Sequence, residues 1–336
     1  MSKKIITIAL SLIMCVAAVF VLSGCGEEEV VTYTNPLTGK ITETEVTTPR
    51  PLVVSIDNVN EAIPQSWLSK ADIVYEFPVE GEQTRLQAIY YTEFPEEFGP
   101  IRSTRPYFVD LTREYKGIFL AHGWSPQARD YLLSDVIPYI NAMNSSLDFY
   151  RVDDKPAPHN SYIKWETVKA EIEAQGWWDE KKNLKSFKFL AEGAEPAGKR
   201  VDKVEFSYDG SDCEFTYDAE SNKYVRTIDG EPYIDKETEK SIKVSNVLVQ
   251  MVKSSELDSK GRLSIDMCAG GDALLFTGGK VLKGTWSRED LDSRTIFVDS
   301  EGNKFRMTRG KTWVEVTDQN CDIDYEIIVE EETEEE

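Results

Sequence analysis

Apolar residues occur along the chain in runs whose character changes twice. The first run covers residues 5–22 and follows a pair of lysines. Shorter continuous runs come next, and each predicts a buried strand: 52–56, 73–77, 85–91 and 117–121. From about residue 200, apolar and polar positions alternate between Gly-containing turns, which predicts half-buried strands: 204–208, 215–217, 247–252, 273–276, 295–298 and 312–316.

Helical periodicity appears between the predicted strands of the first half of the chain. The helix candidates are 104–115, 126–134 and 164–175. The last is the clearest, because Trp165, Val168 and Ile172 share one face and Gly176 follows as a stop. Strands that interleave with helices indicate a mixed layer structure.

These patterns predict an α+β chain with two domains. Residues 50–190 form a layered α/β domain, and residues 200–329 form a smaller, mainly antiparallel β domain. A length of 336 residues is enough for two cores of ordinary size. The last segment, residues 330–336, is acidic and has no apolar residues to bury, so we expect a tail.

The first apolar run ends in the tetrapeptide Leu22-Ser23-Gly24-Cys25. A basic start, an apolar stretch and small residues before a cut are typical of a secretory signal. The run is slightly short of the ~20 residues that a spanning helix needs, although an ordinary membrane anchor is the alternative. The tetrapeptide fits a lipobox, so residues 1–24 are a predicted signal peptide and Cys25 receives a diacylglycerol.

This interpretation places the mature chain on the extracytoplasmic face of the cell membrane, with the lipid bilayer as its partner through acylated Cys25. Residues 25–49 then comprise the lipidated cysteine and a tether with little apolar periodicity. Within the tether, residues 35–39 (Asn-Pro-Leu-Thr-Gly) form an expected ordered turn.

Charge and residue counts exclude several classes of function. The formal net charge is −22, which repels phosphodiester backbones and argues against nucleic-acid binding. Solubility outside the cell explains most of this charge. Beyond the signal and the lipidated cysteine, Cys213, Cys268 and Cys321 remain without a metal-binding spacing, and isolated buried thiols on strands are favoured over one disulfide. With only two histidines in the chain, the sequence predicts no metal and no cofactor.

Polar residues gather at the ends of the predicted strands. Asp57 and Asn58 follow the first strand, Glu76 and Glu80 flank the second, and Arg85 opens the third. A metal site made of the three carboxylates is conceivable for calcium, but no calcium-loop signature accompanies them.

The segment Gly99–Pro106 is the most unusual part of the chain, because Arg102, Ser103 and Arg105 stand in a Gly/Pro-bounded loop before a helix. Guanidinium forks and helix N-terminal amides both favour carboxylate or phosphate, so this loop is a candidate anion site. The alternative is that both arginines pair internally with Asp57, Glu76 or Glu80. The remaining candidate residues at this site are His122, His159 and Asn160.

Two catalytic interpretations are also open. Residues 123–127 (Gly-Trp-Ser-Pro-Gln) resemble a nucleophile elbow, but the final glycine is missing, and Ser125 followed by Pro126 is an ordinary helix start. Glu76 and Glu80 could form the carboxylate pair of a glycoside hydrolase. Carboxylates beside arginines are normally ionised, which disfavours the role of acid.

Taken together, the segments resemble the YerB-like lipoproteins, a family of Gram-positive bacteria without an established biochemical function. The matching stretches are 50–58, 64–66, 71–76, 79–85, 99–106, 158–160, 226–230, 246–247, 284–286 and 310–313. The resemblance implies an N-terminal domain of the β-β-α sandwich kind, followed by a smaller C-terminal domain. Trp67 stands where the family leads us to expect glycine.

We therefore expect a non-catalytic, membrane-anchored binding or regulatory module of the cell envelope. Its partner would be an envelope protein or a cell-wall component, recognised through Arg85, Arg102 and Arg105. The alternative is an envelope hydrolase that acts on wall glycan or peptide through Glu76 or Glu80, with His122 as another possible base.

Overall fold

The structure, a computed structural model, describes residues 31–81, 83–208 and 211–329. The predicted signal peptide, Cys25 and the acidic tail lie outside the described residues. No helix in the described ranges is long and apolar enough to cross a membrane.

Strands dominate the described chain. In the first half they are β1 (Tyr33–Thr34), β2 (Ile41–Thr42), β3 (Leu52–Asp57), β4 (Ile73–Pro78), β5 (Thr84–Tyr90), β6 (Glu97–Phe98), β7 (Ile118–Ala121), β8 (Tyr139–Asn141), β9 (Tyr150–Arg151), β10 (Ser161–Lys164), β11 (Lys188–Phe189) and β12 (Lys199–Arg200). In the second half they are β13 (Lys203–Tyr208), β14 (Ser211–Asp218), β15 (Lys223–Ile228), β16 (Glu231–Pro232), β17 (Lys243–Val244), β18 (Asn246–Val252), β19 (Ser254–Glu256), β20 (Leu263–Ile265), β21 (Gly271–Thr277), β22 (Lys280–Ser287), β23 (Ile296–Asp299), β24 (Arg306–Met307), β25 (Thr312–Asp318) and β26 (Ile323–Asp324).

The helices lie in the first half of the chain, close to the predicted bounds: α1 (Pro106–Glu114), α2 (Pro126–Leu133) and α3 (Trp165–Ala174). Two short 3₁₀ turns cover Asn60–Ala62 and Leu68–Lys70. Ser125 caps α2, because its Oγ accepts a hydrogen bond of 3.2 Å from the Ala128 N–H, and Pro126 occupies the first helical position. The helix-start interpretation of Ser125 is therefore confirmed.

One sheet joins eleven of the described strands in the order β12-β22-β21-β18-β25-β4-β5-β3-β7-β8, with β23 paired to β22. β4 and β25 are parallel neighbours, so the sheet runs from the first half of the chain into the second. β18 is also parallel to β25. The expectation of antiparallel pairing in the second half thus fails at β25, because that strand lies between β18 and β4 rather than beside a hairpin partner. The domain bounds of 50–190 and 200–329 stay a prediction.

Alternation along these strands gives the sheet a separate core on each face. One core contains Val54 and Val74 and includes α3 together with β13, β14 and β15, which belong to a six-stranded antiparallel sheet. The other contains Val53 and Tyr75 and includes α1 and α2. A mixed α/β chain with few helices and mostly β structure is confirmed, in two halves that share the central sheet.

The start of the described chain has two parts. Residues 31–33 and 42–45 belong to a separate unit by their contacts, and there the Thr42 Oγ1 donates to the Thr44 carbonyl over 2.6 Å. Residues 35–39 belong to the main body. The Asn35 amide side chain closes their turn by accepting from the Leu37 N–H at 2.8 Å, and it donates to Thr92 at 2.6 Å. The turn expected at 35–39 is therefore buried against the body.

Candidate functional site

The candidate site lies where β3 ends and β5 begins. Asp57 and Arg85 are direct partners in the antiparallel register of these strands. The loop 99–105 crosses the same end of the sheet and is fixed by backbone bonds, among them Asp57 N–H to the Pro100 carbonyl at 2.9 Å. Gly99 allows the loop to pass the ring of Tyr162, which a Cβ at this position would overlap.

We call the group that meets here the arginine cluster: Asp57, Glu80, Arg85, Arg102, Ser103, Arg105 and His159. Seven of the residues singled out in the sequence therefore come together. The side chains of Asn58, Glu76, His122 and Asn160 make their hydrogen bonds elsewhere.

Arg105 is held by an internal partner. Its guanidinium forms a fork with the Glu80 carboxylate, with Nε donating to Oε2 over 3.0 Å and Nη2 donating to Oε1. Nη1 donates to the Thr104 carbonyl at 2.9 Å and to Ser103 Oγ at 3.2 Å. Burial opposes ionisation of Glu80, but the hydrogen bonds and charge of Arg105 outweigh it and lower the pKa of Glu80. Arg105 is thus paired internally with Glu80, which is the alternative to a ligand-binding role.

Asp57 joins two other members of the cluster. Its Oδ2 lies 2.8 Å from His159 Nδ1 and 3.3 Å from Arg102 Nε, while the residue is only 1% exposed. Oδ1 has no hydrogen-bond partner among the described residues. The Arg102 side chain is 25% exposed and that of His159 is 19% exposed, so these two groups form the solvent edge beside Asp57, while the Glu80 side chain is 29% exposed beside Arg105.

Arg85 lies deeper and has no such carboxylate partner. It is 4% exposed, and Nη1 donates to the Ser103 carbonyl at 2.9 Å and to Ser103 Oγ at 3.3 Å. No carboxylate oxygen of the described residues lies within 4.0 Å of its guanidinium, and its Nε lacks a hydrogen-bond partner. Burial, followed by the charge of Arg105, lowers the pKa of Arg85 to about 10.

Glu76 and Asn58 belong instead to a buried network that links the halves of the chain. Glu76 Oε1 accepts from Asn58 Nδ2 at 2.9 Å and from Thr84 Oγ1 at 2.6 Å, and its Oε2 accepts from Arg226 Nη2 at 2.8 Å. Asn58 Oδ1 accepts from the Tyr233 hydroxyl at 2.6 Å. Glu76 is therefore part of the core, and its ion pair with Arg226 is separate from the ion pair of Glu80 with Arg105.

Arg226 was missed as a partner by the sequence reasoning. Its guanidinium carbon lies 4.1 Å from the Tyr233 ring centre and 4.6 Å from that of Trp313, which stabilises the buried cation. The available signal was positional, because Arg226 follows Tyr224 by two residues and both point inward from β15. An arginine that points into the core from an alternating strand needs a buried carboxylate to balance its charge.

The network also contains the only group of potential metal ligands that the described residues bring together. Ligand atoms of Glu76, Cys213 and Glu315 lie within 4.8 Å of one another. Arg226 already supplies positive charge at Glu76, and burial raises the pKa of the Cys213 thiol well above its usual range. A protonated thiol beside a guanidinium does not suit a metal, so we assign this group to the core.

The remaining candidates have local partners. His122 Nδ1 lies 2.5 Å from Ser161 Oγ, and burial, then the charges of Arg151 and Arg102, lower the pKa of this histidine. Asn160 fixes its own loop, because its side chain donates to the Val152 carbonyl at 2.9 Å and accepts from Arg151 Nη1 at 2.6 Å.

Cys213, Cys268 and Cys321, the cysteines of the described residues, are free thiols. Cys213 is buried on β14, in line with the expected isolated thiol. Cys268 and Cys321 are only partly buried and lie outside the strands, so the expectation of buried thiols on strands is wrong for these two.

Comparisons with known proteins place the chain in a family. Residues 37–178 match the model described as "Protein of unknown function (DUF3048) N-terminal domain", and residues 203–314 match that of the DUF3048 C-terminal domain. The chain is 36% identical over 308 residues to "Putative lipoprotein YerB" of Bacillus subtilis (strain 168), covering 88% of this chain and 91% of that protein. It also matches the crystal structure of YerB from Bacillus subtilis with a TM-score of 0.78 and 33% identity, covering 87% of this chain and 99% of that one. The predicted resemblance is thus confirmed, and the chain belongs to the DUF3048 family of YerB-like proteins.

Proposed function

We propose that the chain is an extracytoplasmic lipoprotein, anchored in the membrane through acylated Cys25, whose arginine cluster binds an anionic group of an envelope partner. The lipobox-like tetrapeptide ending at Cys25 supports the anchor, as does the lipoprotein name of the Bacillus relative. Two or three acyl chains hold a protein at a membrane where one chain binds only marginally. The anchor keeps the cluster at a high effective concentration near envelope partners.

The observation that carries the binding function is Arg85. A guanidinium that is almost fully buried without a carboxylate within ion-pair distance is costly, because desolvation disfavours the charged form. In the cluster, three guanidinium groups face the two carboxylates of Asp57 and Glu80. This arrangement leaves one positive charge uncompensated, in a chain whose net charge is strongly negative.

The ligand would enter at Arg102 and His159, which form the exposed edge beside Asp57. Arg102 binds Asp57 only through Nε at 3.3 Å, and its Nη1 makes a long contact of 3.5 Å to the Pro158 carbonyl. The guanidinium can therefore turn toward a carboxylate or phosphate, for which its planar fork is suited. Arg85 lies behind this edge and adds its charge without direct exposure.

The hydrolase alternative has one feature in its favour, the Asp57–His159 pair, since a buried carboxylate that orients an imidazole resembles a general-base arrangement. The carboxylate pair of Glu76 and Glu80 is a weaker basis. Each is bound to an arginine, and the low pKa of Glu80 keeps it from donating a proton. Binding is therefore the function that we favour.

We also infer that residues 50–190 form the β-β-α sandwich implied by the resemblance. Three layers support it: the helix α1 on one face of the central sheet, the sheet itself, and the small sheet β6-β10-β9 on the other face. Phe98 of β6 and Ile163 of β10 belong to the core opposite α1.

The binding proposal is tested by crosslinking in living cells. The full chain is expressed as wild type, as Arg102→Gln/His159→Gln, and as the control Arg129→Gln, an exposed arginine of α2 outside the cluster. Captured molecules are identified by mass spectrometry. We expect the double variant, and not the control, to lose a specific envelope molecule. Equal capture by all three chains would refute the assigned site.

The anchor is tested separately by metabolic labelling with an alkyne fatty acid. The wild type should be labelled and remain in the membrane fraction, and Cys25→Ser should lose the label. A label on the Cys25→Ser variant would contradict the assignment of that cysteine.

A further inference from the structure

A second candidate site lies in a cavity of about 490 Å³ on the same body of the chain. Its walls come from the segment before and including β11, from the end of β22 and the loop into β23, and from residues near β24. None of the arginine cluster residues contributes to it. Its size is that of a pocket for a small organic ligand.

The cavity is strongly basic although the chain is acidic. Five cationic residues line it, against Glu289 alone: Lys185, Lys188, Arg288, Arg294 and Lys304. The three lysines are exposed, and no carboxylate oxygen of the described residues lies within 4.0 Å of their ammonium groups. A local basic patch inverts the repulsive field of the whole chain and attracts anions.

The inner end of the cavity carries an arginine whose hydrogen bonds are incomplete. Arg294 donates through Nη1 to Glu114 and through Nη2 to the Tyr115 hydroxyl at 2.6 Å. Its Nε is buried and has no hydrogen-bond partner among the described residues. Within the described chain, the guanidinium charge at this wall is offset only by the Glu114 carboxylate, and this favours an anion in the cavity.

Arg288 plays a different part in the same wall. Its Nε donates to the carbonyls of Asp290 and Ser293 at 3.0 Å, and its Nη2 donates to that of Asp110 at 2.9 Å. It therefore shapes the loop, while Nη1 shares the Glu114 carboxylate with Arg294 at 3.3 Å. Two buried guanidinium groups on one carboxylate leave positive charge at the inner wall.

The rest of the lining is apolar. Phe297, Phe305 and Met307 are buried, and the ring of Phe187 lies 6.5 Å from that of Phe297 and 4.3 Å from the Arg294 guanidinium. Ile296 is 40% exposed and lines the same cavity. An apolar wall next to basic groups matches a molecule with an apolar body and an anionic head.

We propose that this cavity binds an amphipathic anion, whose apolar chain or ring contacts Phe187, Ile296 and Phe297 and whose carboxylate or phosphate is bound by Arg294 and the lysines. Such a head could belong to a membrane lipid or to a free organic acid, and the chemistry of the cavity is the same for both. This inference does not depend on the arginine cluster.

The test is isothermal titration of the purified full chain in phosphatidylcholine nanodiscs, with hexyl phosphate as the probe. We expect hexyl phosphate to bind at least about tenfold more tightly than inorganic phosphate or hexanol. Only hexyl phosphate contacts the apolar wall with its chain and the basic groups with its phosphate. The variant Lys188→Gln/Lys304→Gln should weaken binding about fivefold, in line with the modest strength of exposed charge pairs. The matched control is Lys199→Gln/Lys253→Gln, which removes two exposed lysines outside the cavity.

A second variant, Ile296→Gln, tests the apolar wall without disturbing a buried position. This variant should weaken the binding of hexyl phosphate and leave the weak binding of inorganic phosphate unchanged. Equal affinity of hexyl and inorganic phosphate, or equal weakening by the cavity and control variants, would overturn the proposal. Adding dihexanoyl phosphatidylglycerol or hexanoate as competitors then distinguishes a lipid source from a free acid, since the true class displaces hexyl phosphate more strongly.

Discussion

Asp57 Oδ2 lies 2.8 Å from His159 Nδ1, although 102 positions separate the two residues in the chain. The contact joins the end of β3 to the Pro-rich loop before β10. The same carboxylate oxygen lies 3.3 Å from Arg102, so one buried group fixes both members of the exposed edge of the cluster. Asp57 is thus the residue on which the geometry of the candidate site depends.

Replacing Asp57 by Asn should destabilise the fold. The substitution keeps the shape but removes the charge that offsets Arg102 and the other arginines of the cluster. Because Arg102 is partly exposed, we expect a loss of about 1–3 kcal/mol in unfolding free energy, less than for a fully buried ion pair. The free energy of unfolding, measured by urea denaturation monitored through tryptophan fluorescence, checks this. Asp130→Asn is the control, since Asp130 is exposed and pairs only with its neighbour Arg129, and we expect a change below about 0.5 kcal/mol there. Equal effects of the two variants would show that Asp57 is not the charge that balances the cluster.

The Glu76–Arg226 pair should be the more costly one to break. Both side chains are at most 2% exposed, and they connect β4 to β15. Glu76→Gln leaves Arg226 buried without its partner, for which we expect a loss of about 3–5 kcal/mol in unfolding free energy. Glu76→Gln/Glu315→Gln/Arg226→Met removes the buried cation together with both carboxylates near it, and it should recover part of that loss because no uncompensated ion remains. A triple variant less stable than Glu76→Gln would mean that the aromatic contacts of Arg226 outweigh its ion pairs.

Local patterns predicted most elements of this fold but not the pairing of distant ones. The bounds of β3, β4 and α3 follow from apolar periodicity, because alternation and helical spacing are properties of neighbouring residues. The placement of β25 beside β4 joins Trp313 to Val74 in register and leaves no local signature in the sequence. This pairing creates the continuous sheet that the predicted division into domains did not anticipate.

The same distinction applies to the candidate site. The crowding of polar residues at strand ends predicted that Asp57, Arg85 and Arg102 would meet, since adjacent strand ends share one edge of a sheet. It could not separate Glu76 from this group, because the residue that removes it, Arg226, lies 150 positions away in the chain. The sequence also could not predict which arginine pairs internally. Arg105 pairs with Glu80, whereas Arg85 has no carboxylate partner among the described residues.

Removing positive charge near His122 should raise its pKa. Burial first, then Arg151 and Arg102, hold this pKa below the ordinary 6.5. Arg151→Gln and Arg102→Gln should each raise it, since the imidazolium then meets less repulsion. An NMR titration of the histidine ring protons measures the change, with Arg129→Gln as the control and His159→Gln to assign the two rings. An unchanged midpoint in both variants would show that burial alone sets this pKa.

The lowered pKa of His122 also affects stability in mild acid. The unfolded chain takes up a proton near pH 6.5, whereas the folded chain does so only at a lower pH. The contribution of His122 to the free energy of unfolding is therefore fully present above pH 6.5. It is lost as the pH falls from 6.5 toward the lower pKa that this histidine has in the folded chain. His122→Gln should reduce the loss between pH 7 and pH 5 measured by urea denaturation, and a loss as large as in the wild type would assign it to other groups.

Lys311 should make the fold more stable in mild base. Burial lowers its pKa to about 8 from the ordinary 10.5, and its ammonium donates to the carbonyls of Ser69 and Ala71. Between these two values the unfolded chain keeps a proton that the folded chain has released, so stability rises with pH. From pH 7 to pH 9.5 the contribution is about 2 kcal/mol. Urea denaturation over this range measures it.

Lys311→Met should remove this rise, whereas Lys260→Met, at an exposed lysine, should leave it unchanged. Burial also raises the pKa of thiols such as Cys213 and of phenols such as Tyr90. These groups lose protons first in the unfolded chain, near pH 8.5 and pH 10, so they lower stability as the pH rises and oppose the lysine. The contribution of Lys311 is therefore the difference between the profiles of the wild type and Lys311→Met, and the range ends at pH 9.5 to limit the phenols. A rise that survives in Lys311→Met would show that another group releases the proton. Identical pH profiles for the wild type and Lys311→Met would show that the two carbonyl acceptors keep Lys311 charged in spite of its burial.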